Sequence, residues 1–318
     1  MALMDRRTAS GFPLVALAAA LWGTDALFRR GLALELPATT VVVYEHIILA
    51  AIMLPMLVKI PWRRLSLSDR FSLVLIGAGA SALATVLFTM SFRFGDPNTP
   101  LLLQKIQPFV AIIGARLLLG ERMRPRFGVY ATIAVAAAWL ITFPSPLQIS
   151  VQHLLPGVLA ACAAALWGMG TVLGRRMSDT LSFVQIAAAR FGIGLPAALV
   201  LVLLIPGREV SVVEHLAIGT GDIVPLLLLA LVPGLISLLI YYRGLRATPA
   251  SAATIGELAF PLAALTVNYL AFGAVLTLTQ AVAVVVLSAT LVMMSLKGRE
   301  RATELGIEIP ETAGSVGR

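Results

Sequence analysis

Ten runs of roughly 20 mostly apolar residues follow one another along this chain, at roughly 12–31, 38–58, 69–91, 98–119, 126–143, 153–174, 181–205, 222–243, 248–271 and 275–296. Each is long enough to cross the hydrocarbon core of a bilayer as a helix. Only 13% of the residues are charged, about half of what a water-facing surface needs. The spacing therefore predicts an all-α membrane protein of ten transmembrane helices.

The formal net charge of +8 reads as basic loops on one face of the membrane rather than as a nucleic-acid surface. With an inside N-terminus, 16 of the 24 lysines and arginines fall in inside segments, whereas Arg29, Arg30, Arg93 and Arg208 fall outside. Both termini are thus expected in the cytoplasm, in a bacterial inner membrane. Arg6 and Arg7 before an apolar run also fit a signal peptide. The same Ala-Leu-Trp-Gly recurs at 165–168, however, so the first run is expected to be a retained helix. Cys162 is the single cysteine and excludes an intrachain disulfide.

The chain repeats itself. Trp22-Gly23 and Trp167-Gly168 lie 145 residues apart, and Pro108 and Gly120 match Pro261 and Gly273 at an offset of 153. Five helices per half is odd, so the second copy must enter the membrane upside down, an inverted repeat typical of secondary transporters. The expected division is 1–147, 148–297 and a disordered tail, 298–318.

AALWGTDALFRRGL at 19–32, TPLLLQKIQPFVAIIGARLLLGERM at 99–123 and TPASAATIGELAFPLAALTVNYLAFG at 248–273 resemble the EamA-type repeats of the drug/metabolite transporter superfamily. The resemblance implies a ten-helix carrier that exports amino acids or related small metabolites. In that family an arginine is common in each repeat's second helix. Here Arg190 keeps it, Glu45 replaces it in the first half, and Ala274 stands where a second Leu-Gly-Glu would have its glutamate.

Ionisable groups inside a membrane are functional candidates, with ion pairing and snorkelling as the competing explanations. Glu45, Arg190, Glu257, Lys105, Gln104, Trp22, Trp167 and Tyr44 are expected to bind substrate. Glu45, Glu257, Asp25 and His46 are the candidates for proton coupling. Glu45 and Lys105 lie at similar depth, about 10–12 Å into their helices, so Glu45 is expected to have Lys105 or Arg190 beside it. Asp25 has Arg29 four residues on and could form a local pair. His46, next to Glu45, also fits a hydrogen-bonded packing role.

No HExxH, Walker A or GxSxG occurs, so metal hydrolysis, ATP-driven pumping and serine hydrolysis lack their usual residues. No metal or cofactor is expected. The partners expected are a small-molecule substrate, membrane lipids and a proton or counter-substrate gradient, with no nucleic acid and a monomer as an allowed assembly. The reading is a secondary carrier for small polar metabolites such as amino acids. Its rival is a membrane enzyme or scramblase acting on a lipid-like substrate.

Overall fold

The computed structural model describes residues 11–94, 96–120, 126–143, 151–205, 211–245, 256–257 and 259–304. These residues are helical and contain no strand. Seven helices are long and apolar enough to span a membrane: α1 (Phe12–Glu35), α2 (Ala38–Leu57), α3 (Leu67–Ser91), α4 (Asn98–Leu119), α6 (Leu154–Met177), α7 (Phe183–Leu204) and α8 (Thr220–Tyr241). Three shorter apolar helices complete the set: α5 (Phe127–Thr142), α9 (Ala259–Phe272) and α10 (Leu278–Met293). The expected start of the ninth run, 248–255, lies outside the described residues, as do Glu121 and Arg122. The last helix continues to Glu304, so residues 298–304 of the expected tail are helical. The first helix runs to Glu35, about one turn past its expected end near residue 31, so Arg29 and Arg30 lie within it and not in the outer loop to which their charges were counted.

Three helices depart from regular geometry, each for a local reason. In α4 the residues Gln104–Ile106 tighten into a 3₁₀ turn. Pro108 lacks the N–H that would bond to the Gln104 carbonyl, and its ring crowds that carbonyl. In α8 the π-helical segment Ala230–Ile236 contains Pro233, which frees a backbone acceptor in the same way. In α3 the π-helical segment Leu75–Leu83 carries the glycine-rich sequence LIGAGASAL, whose glycines favour a regular helix least. The two π segments occupy corresponding positions at the 153-residue offset. So do Gly120 and Gly273, with φ of 69° and 62°, a conformation that glycine adopts without a Cβ penalty.

Glycine also sets how closely helices cross. A Cβ on Gly23 would lie 2.8 Å from Phe260 O and Ala264 N of α9. One on Gly168 would lie 2.9 Å from Gln107 O and 3.0 Å from the Val110 Cβ of α4. Each Trp-Gly therefore packs on the Pro-bearing helix from the other end of the chain, at matching positions. Close backbone approach through small residues is how helices associate in lipid, where burial of apolar side chains gives no net drive. Large apolar side chains such as Leu117, Leu270 and Val285 point outward.

Gly23→Ala and Gly168→Ala should each lower stability in detergent by about 1–3 kcal/mol through overpacking. Gly31→Ala, where the added carbon meets nothing within 4 Å, should not. Thermal unfolding of the three variants side by side checks this, and equal midpoints for all three would contradict the close-packing account.

Candidate functional site

Two polar groupings occupy the helix interior. The first is built on Arg29 of α1, which is 3% exposed. Its Nε and Nη2 donate to the two oxygens of Asp25 at 2.7 and 2.9 Å. Its Nη1 and Nη2 donate to Glu45 of α2 at 3.2 and 3.4 Å. The second Nη1 hydrogen goes to Thr89 Oγ1 at 2.8 Å, so all five N–H donors of the guanidinium are used. The Phe88 ring centroid lies 5.6 Å away. The side chain hydrogen-bonded to Glu45 is thus Arg29, which was expected to pair with Asp25 alone. The fork geometry explains the choice, because one planar guanidinium can hold two carboxylates where an ammonium is a single point charge.

His46 and Arg190 join next to this cluster through Ser81 in the π segment of α3. The Arg190 Nε donates to Ser81 Oγ at 3.3 Å and its Nη2 to the Ala80 carbonyl at 3.0 Å. His46 Nε2 lies 2.9 Å from Ser81 Oγ and Nδ1 lies 2.8 Å from the Val42 carbonyl. Only an Nδ1–H can serve that carbonyl, so Nε2 accepts from the serine hydroxyl. Gly194 makes room for the ring, since a Cβ there would come within 2.5 Å of it. Asp25, Glu45, Arg29 and Arg190 together sum to zero charge, which offsets their removal from water.

The second grouping is largely aromatic. Trp22 of α1 meets Tyr241 of α8 with ring centroids 4.9 Å apart. The Tyr241 hydroxyl donates to Glu257 Oε1 at 2.5 Å. Lys105, in the 3₁₀ turn of α4, holds its Nζ 4.3 Å from the Phe260 centroid, and Glu257 acts on it through space. Trp22, Lys105, Gln104, Tyr241 and Glu257 are all half-buried. Trp167 packs edge-on against Phe88 at 5.1 Å, and Phe88 and Tyr241 stand at the same 153-residue offset. The two Trp-ring pairs are therefore counterparts. Only the Trp22–Tyr241 pair ends in a hydroxyl and a carboxylate.

The expected site residues thus divide. Trp22, Lys105 and Glu257 gather with Tyr241 and Phe260. Asp25 and Glu45 gather on Arg29, while His46 and Arg190 gather on Ser81. Tyr44 stands apart, its hydroxyl donating to the Leu216 carbonyl at 3.0 Å. There the short helix Val212–His215 crosses α2, with Thr39 and Thr40 bonded to His215. Tyr241 and Phe260 escaped the sequence reading. The local Asp25–Arg29 pair it named is present, and the further bonds of Arg29 to Glu45 are what it missed.

At the end of the bundle beyond Lys105, Asn268 Nδ2 donates to Asn98 Oδ1 at 2.8 Å, which joins α9 to α4. Asp96 caps α4 by accepting from the Thr99 amide and hydroxyl. Burial lifts the Asp96 carboxyl above its ordinary range, against those hydrogen bonds. Arg30 lies over the Phe272 ring at 4.8 Å.

The EamA-like transporter family profile matches residues 9–143 and 155–296. The chain is 30% identical over 296 residues to a protein described as riboflavin transporter ImpX of Fusobacterium nucleatum subsp. nucleatum, with 90% of this chain and 97% of that protein covered. A crystal structure at 17% identity shares the fold with a TM-score of 0.61, covering 92% of this chain and 99% of the other.

Arg29→Met leaves two buried carboxylates facing each other and should cost about 3–5 kcal/mol. Glu45→Gln keeps Arg29 paired with Asp25 and should cost about 1 kcal/mol. Unfolding midpoints measured in one detergent should fall in that order. The reverse order would show that Arg29 is not the hub.

Proposed function

This chain belongs to the EamA-like transporter family, and on that premise we propose a secondary carrier for a flat heteroaromatic solute of the riboflavin kind. It is a transporter rather than an enzyme. The observation that carries the substrate reading is the set of Trp22, Tyr241 and Phe260 beside Lys105 and Glu257. Aromatic rings offer a planar solute offset stacking, worth about 0.5–1.5 kcal/mol per pair beyond the area buried. Lys105 supplies donors for ring carbonyls, and Glu257 and Gln104 supply groups for hydroxyls. The riboflavin transporter named for the relative has a substrate of that shape and polarity.

Glu45 is held by Arg29, and Arg190 bonds to Ser81 and to the Ala80 carbonyl, so an amino acid would have to rely on Lys105 and Glu257. The rings that stand beside those two groups favour an aromatic solute over a small zwitterion.

The architecture proposed is ten membrane helices in two inverted five-helix repeats. Matched contacts support it: Gly23 on α9 and Gly168 on α4, Trp22 on Tyr241 and Trp167 on Phe88, and a π segment in α3 and in α8. The excess of arginine and lysine in alternate loops supports both termini in the cytoplasm of a bacterial inner membrane. Alternating access would rock one half against the other around the central rings, driven by a proton or counter-substrate gradient. Glu257 is the coupling group of choice. It is half-buried with its Oε1 held by one hydroxyl, whereas Asp25 and Glu45 are locked on Arg29.

The test is counterflow in proteoliposomes preloaded with unlabelled riboflavin, with amino acids as a parallel panel. Labelled riboflavin should accumulate transiently and saturably. Trp22→Ala should raise KM about tenfold, equivalent to the loss of about one stacked ring pair. Glu257→Gln should retain counterflow while losing pH-driven uptake. Saturable flux for an amino acid and none for riboflavin would overturn the substrate reading.

A further inference from the structure

Asn98 and Asn268 present an anomaly. Both are fully enclosed, at 1% and 0% exposure, and they share a single hydrogen bond of 2.8 Å. The remaining donor, Asn98 Nδ2, and the remaining acceptor, Asn268 Oδ1, have no partner among the described residues. Buried amide atoms are almost always satisfied, and an orphan calls for an explanation. Their place in the fold supplies one. Asn98 lies seven residues, about 10 Å, beyond Lys105 on α4. Asn268 lies two turns beyond Phe260 on the same face of α9. The pair thus seals the bundle just past Leu101, Phe92 and Ala264, which form one apolar cluster with Phe260.

We infer that Asn98 and Asn268 are positioning residues that close the carrier at the end away from its basic loops, through a bond incomplete enough to open. The inference rests on the transport reading. In the closed form, one bond fixes α4 against α9 at a single distance. Parting the helices lets water in, and water satisfies all four amide atoms, including the two that closure leaves bare. Opening therefore recovers the desolvation cost of two groups while breaking one bond. Two leucines in the same place would behave oppositely, because parting them exposes apolar surface to water. The equivalent positions in the two halves, at the 153-residue offset, are Ser251 and Ala115. These cannot form a second amide pair, so the latch belongs to one end alone.

The experiment needs no substrate. In a Cys162→Ser background, Leu101→Cys places a thiol behind the pair, and a membrane-impermeant maleimide is added from the asparagine side of reconstituted vesicles. The labelling rate then reports how often that end opens. Asn98→Leu with Asn268→Leu should slow labelling about tenfold, while Asn268→Ala alone should speed it about fivefold. If the double variant fails to insert, Asn98→Ala and Asn268→Ala carry the test, and both should speed labelling. Rates unchanged from the parent, or shifted in the same direction by leucine pair and alanine, would overturn the inference. With an established substrate, the leucine pair should lower kcat with KM unchanged, which a purely structural contact would not do. Absence of riboflavin counterflow would sink the substrate reading and leave the labelling result standing.

Discussion

A helix in hydrocarbon must pair every backbone amide within itself, because no solvent will do so. Among the described residues, side chains meet carbonyls at both π segments. Arg190 of α7 donates to the Ala80 carbonyl in α3, and Ser237 donates to the Pro233 carbonyl within α8. The irregular places and the polar places coincide for this physical reason, and α3, 61% buried over its apolar window, is the most enclosed of the seven long helices.

Close packing decides the rest. Gly23 and Gly168 let α1 and α6 lie against the backbones of α9 and α4. Each tryptophan beside these glycines is therefore set at the same depth as a proline-bearing helix. That juxtaposition puts Trp22 on Tyr241 and Trp167 on Phe88. The two aromatic pairs are alike in geometry and unlike in chemistry. Tyr241 has a hydroxyl for Glu257, and Phe88 instead faces the guanidinium of Arg29.

The charges follow the same logic. Arg29 uses every donor it has within the protein, so its cluster ties α1, α2 and α3 together. Lys105 and Glu257 stand beside the half-buried Trp22 and Tyr241 and the buried Phe260. A fully bonded network such as that of Arg29 fixes helices.

The sequence by itself determined that the chain is a helical membrane protein of the EamA-like family, and that Glu45, Asp25, Lys105 and Glu257 are embedded in it. Apolar runs and motif order are local properties, and lipid makes helix the sole open option for a single apolar span. It also marked Pro108, Gly120, Pro261 and Gly273 as corresponding points, because backbone restrictions of these residues act within one turn. Tertiary structure alone decided which carboxylate meets which cation. Arg29 read as a local partner of Asp25, and only the packing of α1 on α2 brings its fork onto Glu45 as well, sixteen residues away. Tyr241 and Phe260 carried no local signal, since nothing in their neighbours sets the rotation of α8 and α9. The glycine crossings set that rotation, and a crossing depends on two surfaces that are far apart in the chain.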